Sequence, residues 1–159
     1  MAQTKPAVAE REASPSLTIT RRFAATPSAL FRAWTDPKRL ARWIGPRGVN
    51  AEVKEMEVRA GAGYRIAMHL PSGEIRTVRG IYREIHPSER LVFTWAWDED
   101  GGKPGHETLV TITFRALGPE TEMTILHEQF ASEERRDSHN KGWNGSFDKL
   151  AEMLAGGQS

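Results

Sequence analysis

The feature that most constrains this chain is an alternation of apolar and polar residues that runs from Val49 to Phe130 and then changes to helical spacing. Such an alternation is typical of strands that bury one face. Turn residues interrupt it at Pro71-Ser72-Gly73, in the glycine-rich stretch Asp98–Gly105 and at Gly118-Pro119. Consecutive strands joined by short turns predict an antiparallel meander.

Seven strands are predicted, one ahead of this region and six inside it. Their ranges are Leu17–Phe23, Val49–Val58, Tyr64–His69, Ile75–Ile85, Leu91–Trp97, Glu107–Phe114 and Met123–Phe130. Two short helices are predicted after the first strand, because Thr26-Pro27 and Asp36-Pro37 each place an N-cap residue before a proline at the first helical position. The second helix is predicted to end at Gly45-Pro46.

A long helix is predicted after the last strand, with Ser132 as its N-cap and acidic residues in its first turn, where the helix dipole favours them. Its apolar residues follow at helical spacing and are Trp143, Phe147, Leu150, Ala151 and Leu154. The helix is predicted to continue to about Ala155. We therefore predict an α+β fold in which a seven-stranded curved antiparallel sheet surrounds a long C-terminal helix, with two short helices after the first strand.

A single folded domain is predicted, because 159 residues are close to the usual domain length of about 100–150 residues. Residues 1–15 lack apolar spacing and are predicted to form a disordered tail. Residues 16–155 form the predicted domain, and residues 156–159 are predicted to be a frayed C-terminus.

The composition excludes several classes of protein. There is no cysteine, which excludes a disulfide scaffold, a thiolate metal site and a cysteine nucleophile, and favours the cytoplasm. The 22 basic and 21 acidic residues leave a net charge of +1, so there is no electrostatic case for nucleic acid as a partner. No apolar run reaches the ~18 residues of a membrane span, and the N-terminus has no apolar core of a signal peptide.

Sequence motifs for metal, nucleotide or nucleophilic chemistry are incomplete. The segment His127-Glu128-Gln129-Phe130 lacks the second histidine of a zinc-protease motif, and Gly61-Ala62-Gly63 does not complete a dinucleotide fingerprint. Ser146 lies inside the predicted long helix and not on a nucleophile elbow. We therefore predict no metal and no cofactor.

Several segments carry a resemblance to a known family. They are Phe31–Pro37, Leu40 with Trp43, Gly80–Ile85, His86–Trp95, Thr124–His127, and Gly142-Trp143 with Leu150. With the order of elements, they resemble the SRPBCC superfamily (START and birch-pollen-allergen-like proteins), and within it the activator-of-heat-shock-protein-ATPase-like branch. The resemblance covers nearly the whole chain apart from residues 1–15. It implies a helix-grip fold, a hydrophobic cavity between the sheet and the long helix, and a role in the stress response. It implies no particular reaction, because members of this branch share none.

The inner face of the sheet follows from the alternation of side chains along each strand. Taking the more apolar set as inward gives Tyr64, Ile66, Met68, Phe93, Trp95, Trp97, Val110, Ile112, Phe114, Met123, Ile125 and His127. Two interpretations are open: these side chains fill a core, or they line a partly open pocket. The small residues Gly142, Gly145 and Ser146 beside Trp143 favour the pocket, because they leave volume beneath the helix. Close packing of the helix on the sheet explains them equally well.

The candidate ligand-binding residues combine this inner face with the long helix. They are Tyr64, Ile66, Met68, Phe93, Trp95, Trp97, Ile112, Phe114, Ile125, His127, Gly142, Trp143 and Ser146. His127 is the one polar member of the inner face. It is interpreted as a hydrogen-bonded core residue, as a ligand anchor or as a general base, and a base needs a partner that sets its tautomer. Glu107 and His69 are predicted to face outward.

Three functions are open at this point. The first is the binding of a hydrophobic small molecule, such as a lipid or an aromatic compound, by a monomer or homodimer. The second is interaction with a chaperone, which the resemblance implies. The third is cyclase-like or hydrolase-like catalysis with His127 as the base and with Trp95 and Tyr64 positioning the substrate. Arg76, Arg79 and Arg83 are a further candidate, as an outer basic stripe.

Overall fold

The structure is a computed structural model that describes residues 14–156. The predictions for residues 1–13 and 157–159 lie outside this range. At the N-terminal side, the carbonyl of Pro15 accepts a hydrogen bond from the backbone N–H of Phe130 at 3.2 Å. The chain is therefore tied to the segment after the last strand from Pro15 onward, one residue before the predicted start of the domain.

A single curved antiparallel sheet forms the frame of the fold. Its strands are β1 (Leu17–Phe23), β2 (Asn50–Met56), β3 (Gly63–His69), β4 (Ile75–His86), β5 (Arg90–Glu99), β6 (Lys103–Pro104), β7 (Thr108–Leu117) and β8 (Glu120–Glu128). Seven of them lie in the order β1-β8-β7-β5-β4-β3-β2, and β6 pairs only with β5. From β2 to β8, successive strands of this order are neighbours in the sheet. The first strand, β1, lies at the edge and pairs with β8 over its full length.

The predicted fold is confirmed, with differences at the strand ends. The stretch Asp98–Gly105, predicted as a loop, contains the end of β5 and the two-residue β6. The last strand begins at Glu120 and ends at Glu128, whereas the sequence predicts Met123–Phe130. Gln129 has a φ of 72°, so the backbone leaves the extended conformation there. This turn buries the ring of Phe130 against that of His127, with 4.3 Å between their centroids.

Two short helices, α1 (Pro27–Thr35) and α2 (Pro37–Trp43), follow β1 as predicted. Each begins at its predicted cap, because the side chain of Thr26 accepts from the N–H of Ala29 and that of Asp36 accepts from the N–H of Lys38. The indole of Trp43 donates to the carbonyl of Ala33 at 3.0 Å and ties the two helices together.

The long helix α3 (Glu133–Ala155) packs against the inner face of the sheet. The hydroxyl of Ser132 caps it by accepting from the N–H of Arg135 at 3.1 Å. Its buried residues are Trp143, Ser146, Phe147, Leu150, Met153 and Leu154, all at or after residue 143. Across residues 14–156, the structure contains no helix with the length and apolar character needed to cross a membrane.

Candidate functional site

The second half of α3 closes a solid core, which we call the filled half of the interface (Phe147 to Leu154 of α3 with Phe23, Trp34 and Trp43). The ring of Phe147 lies 6.1–6.4 Å, centroid to centroid, from the rings of these three residues. The space near this core, beside Trp34 and Phe93, measures only about 20 Å³. That is room for about one water molecule, so the filled half has no place for a ligand.

The first half of α3 stands away from the sheet and leaves what we call the open half (residues 134–146 of α3 opposite β4 and β5). Two cavities lie there. The loop-side cavity, beside the 102–106 segment and Phe130, measures about 780 Å³. The helix-side cavity, between the 44–49 segment and α3, measures about 590 Å³. The two share five lining residues, which are Arg76, Trp95, Trp97, Arg135 and His139.

His127 sits between the two halves and is fully hydrogen-bonded. The indole N–H of Trp143 donates to its Nδ1 at 3.0 Å. Its Nε2 lies 2.7 Å from the hydroxyl of Thr108, which in turn donates to the carbonyl of Trp95 at 2.7 Å. This pattern requires a neutral ring with the proton on Nε2. Burial, reinforced by nearby His139, lowers the pKa of His127 from 6.5 to about 2. Both ring nitrogens are therefore occupied, and the geometry favours the interpretation of His127 as a hydrogen-bonded core residue.

His139 on α3 repeats this arrangement at the wall of both cavities. The indole N–H of Trp97 donates to its Nε2 at 2.9 Å. Its Nδ1 lies 2.8 Å from the carbonyl of Arg135, to which it donates. Burial lowers the pKa of His139, so this ring is also neutral at pH 7. The two Trp–His pairs lie side by side, with 5.2 Å between the histidine centroids.

Trp95 joins these two pairs. Its ring lies 5.0 Å from that of Trp143 and 5.7 Å from that of Trp97. Its indole N–H is buried and, among the side chains of residues 14–156, it is the one buried nitrogen or oxygen without a hydrogen-bond partner. This wall of the cavities therefore contains a hydrogen-bond donor without an acceptor. Such an unpaired buried donor costs about 1–3 kcal/mol.

The arginines of β4 do not form the predicted basic stripe. Arg76 lines both cavities, and its guanidinium lies 5.0 Å from the centre of the Trp97 ring. The guanidinium of Arg79 makes a bidentate ion pair with the carboxylate of Asp98, with N···O distances of 2.6 and 2.8 Å. Arg83 lies 3.6 Å from a carboxylate oxygen of Glu107, which faces outward as predicted. The spacing of three residues between Arg76 and Arg79 puts them on opposite faces of the strand.

Only some of the predicted site residues line the cavities. Met68, Trp95, Trp97, Gly142, Trp143 and Ser146 line the helix-side cavity. Ile66 and Phe93 border only the 20 Å³ space. Tyr64 borders that space and a separate cavity of about 440 Å³ beside Gly80. Ile112, Phe114, Ile125 and His127 line none of these spaces. Ile112, Ile125 and His127 are fully buried, and Phe114 is 8% exposed.

The small residues of α3 have different roles. A Cβ added to Gly142 would meet no atom within 4 Å, so this glycine opens onto the cavity. A Cβ on Gly145 would lie 3.2 Å from the Cβ of Pro46, so this glycine allows close packing of α3 on the turn after α2. The hydroxyl of Ser146 accepts from the N–H of Gly45 at 2.9 Å and fixes the same contact.

Sequence reasoning missed Thr108, Arg135 and His139, and it assigned Arg76 to an outer basic stripe whereas Arg76 lines both cavities. His139 lies four residues before Trp143, so helical spacing places both on one side of α3 and could have found it. Thr108 lies two residues before Val110 and thus on the inner face of β7. Outside residues 1–13 and 157–159, no group of three or more histidine or acidic side chains is placed to hold a metal ion.

The fold and this cavity-bearing interface can be compared with known proteins. Residues 24–155 match the family described as "Activator of Hsp90 ATPase homolog 1-like protein". The chain belongs to this family. The match covers every element from α1 to α3, so it includes both halves of the interface apart from Phe23. No curated protein matches the chain.

Solved structures of several bacterial proteins resemble this member of the Hsp90 ATPase activator-like family. A protein from Chromobacterium violaceum is 29% identical, with a TM-score of 0.80 over 87% of this chain and 95% of that one. The AHSA1 protein from Silicibacter pomeroyi is 28% identical, with a TM-score of 0.82 over 89% of this chain and 98% of that one. A protein from Arthrobacter aurescens is 25% identical, with a TM-score of 0.82 over 91% of this chain and 87% of that one.

Proposed function

We propose that residues 16–155 form a domain that binds a hydrophobic small molecule, lipid or aromatic, in the open half of the interface. The observation that carries this proposal is the helix-side cavity of about 590 Å³. Its volume falls within the ~300–1,000 Å³ of small-molecule sites. Its walls combine the apolar side chains of Met68, Trp95 and Trp143 with a few polar groups, as such sites do.

The geometry gives less support to catalysis by His127. A general base needs a free lone pair within reach of the substrate. The Nδ1 lone pair of His127 accepts from Trp143, and the ring lines neither cavity. The absence of cysteine supports the cytoplasmic location that we propose for the binding protein, in which thiols would stay reduced.

A titration with N-phenyl-1-naphthylamine tests the binding function, because the fluorescence of this neutral aromatic dye rises in apolar surroundings. We expect saturable binding to the wild-type protein. In Gly142→Phe the new ring enters the cavity, and we expect the dye to bind at least about tenfold more weakly. The fold should persist, because the space beside Gly142 is open and glycine is a poor helix former.

Asn144→Phe is the matched control, because it adds the same ring to an exposed position of α3. We expect this variant to bind the dye as the wild type does. Circular dichroism and urea unfolding show whether all three proteins are folded. A wild-type protein that binds no dye, or a folded Gly142→Phe variant that binds it unchanged, would overturn the proposed function.

The description of the family favours a second candidate function, which is interaction with a chaperone of the Hsp90 class in a stress response. The test is the ATPase rate of the chaperone from the same organism, measured with and without this protein. A rise in that rate that saturates with the protein concentration would support the interaction. An unchanged rate, together with no complex in a pull-down at micromolar concentration, would remove it.

A further inference from the structure

Two arginines of the open half differ from their neighbours in having no acidic partner among residues 14–156. Arg79, next to the cavities, is neutralised by Asp98. The guanidinium of Arg76 contacts only the ring of Trp97, and the guanidinium of Arg135 contacts no carboxylate within residues 14–156. Both side chains line the helix-side cavity and the loop-side cavity.

The guanidinium groups of Arg76 and Arg135 both act on the same neighbouring ring, that of His139. Each lowers the pKa of the His139 ring that stands at the same wall, so each is close enough to act on it through space. The Trp97 face below Arg76 limits the freedom of that guanidinium. A planar guanidinium that is held in place and has free N–H donors is suited to bind a carboxylate or sulfonate.

The charges that line each cavity decide where an anion fits. The helix-side cavity carries Arg76 and Arg135 against one carboxylate, Glu134. The neutral His139 adds no charge there. The loop-side cavity has the same two arginines against Glu74 and Glu99, and its Asp98 is already paired. An excess of positive charge is therefore found only on the helix side.

We propose that the ligand of the helix-side cavity is an organic acid, with an apolar body against Met68, Trp95 and Trp143 and an anionic group bound by Arg76 and Arg135. This inference rests on the proposed binding function and specifies its ligand class. The apolar body of the ligand gains free energy by leaving water. Its acidic group supplies the negatively charged partner that the two arginines do not have among residues 14–156.

Two dyes with the same rings test the role of the charge. 8-Anilinonaphthalene-1-sulfonate carries a sulfonate, whereas N-phenyl-1-naphthylamine has the same ring system without it. We expect the sulfonate dye to bind the wild-type protein at least about tenfold more tightly than the neutral dye. The advantage should shrink as salt is raised from 0.05 to about 0.5 M, because added ions screen the partly exposed arginines.

The variant Arg76→Gln/Arg135→Gln removes both charges and keeps polar, though shorter, side chains. We expect it to lose the preference, so that the ratio of the two affinities, measured on the same variant, falls to about one. Arg32→Gln is the matched control, because it removes an exposed arginine of α1 that lines neither cavity. It should retain the full preference for the sulfonate dye.

The outcomes separate the two proposals. If both dyes bind equally well and Gly142→Phe weakens both, the organic-acid inference is wrong and the binding function stands. If the preference for the sulfonate dye survives in the double variant, the inference is wrong as well. If neither dye binds, the proposed function falls and the inference falls with it.

Discussion

The two halves of the interface beneath α3 are built from the same sheet and the same helix, yet one is solid and the other is hollow. In the filled half, α3 presents Phe147, Leu150 and Leu154 to the sheet at helical spacing. In the open half, α3 buries only Trp143 and Ser146, and its residues from 134 to 142 include no buried side chain. The aromatic face of the sheet continues across both halves. The cavity therefore forms because this part of α3 has no large side chains that fill the space against the sheet.

The largest expected effect lies in the filled half. Phe147 is fully buried and contacts four aromatic rings, so Phe147→Ala should lower the free energy of unfolding by about 3–5 kcal/mol. Trp97→Ala in the open half should cost less, about 1–2 kcal/mol, because water can occupy the enlarged cavity. Urea unfolding at pH 7 measures both. Equal losses would mean that the two halves do not differ in packing.

The next effect is the pH dependence of the unfolding free energy that arises from His127, which lies at the boundary between the two halves. Its pKa is 6.5 in the unfolded chain and about 2 in the folded protein. Below pH 6.5 the unfolded chain therefore binds a proton that the folded protein does not, and stability falls as the pH falls. From pH 7 to pH 5 this histidine should remove about 2 kcal/mol of unfolding free energy, and His139 acts in the same direction.

Two variants isolate this contribution. Between pH 7 and pH 5, the unfolding free energy of His127→Gln should fall by about 2 kcal/mol less than that of the wild type. His86→Gln, which replaces an exposed histidine at the end of β4, should keep the wild-type loss. The measurement is urea unfolding at both pH values. The prediction fails if His127→Gln retains the full loss, since another group would then cause it.

The smallest effect compares two glycines of α3. Gly142→Ala should raise the unfolding free energy by up to about 1 kcal/mol, because its Cβ meets open space and alanine favours the helix. Gly145→Ala should gain little or nothing, since its Cβ must push Pro46 by a few tenths of an ångström. Thermal unfolding of the two variants gives the comparison. A larger gain at Gly145 would show that the helix packs less tightly there than the structure indicates.

The sequence predicted the fold and the inner face of the sheet because both follow from periodicity. Val110, Met123 and Ile125 are buried where the alternation places them. Periodicity does not say how far a covering helix stands from a sheet, so it could not separate Phe93 in the core from Trp97 at the cavity. His139 was missed because it lies in a charged stretch of α3 that is typical of a solvent-exposed helix.

The end of the last strand was placed two residues too late for a similar reason. Gln129 and Phe130 continue the alternation, but the backbone of Gln129 adopts a positive φ that its residue type does not signal. Arg76 and Arg135 lie far apart in the chain, and only the tertiary structure brings both to one cavity. Pairings of this kind are set by the curvature of the sheet and the position of α3, which no local pattern encodes.

The five tryptophans offer the most direct test of the central claim that the open half binds the ligand. Trp95, Trp97 and Trp143 line the helix-side cavity, whereas Trp34 and Trp43 pack in the filled half. The measurement is the set of indole N–H resonances in a nitrogen-15 correlation spectrum during titration with N-phenyl-1-naphthylamine. We predict saturable shifts for the first three indoles and none for the other two. Shifts confined to Trp34 and Trp43, or no shifts at all, would contradict the account.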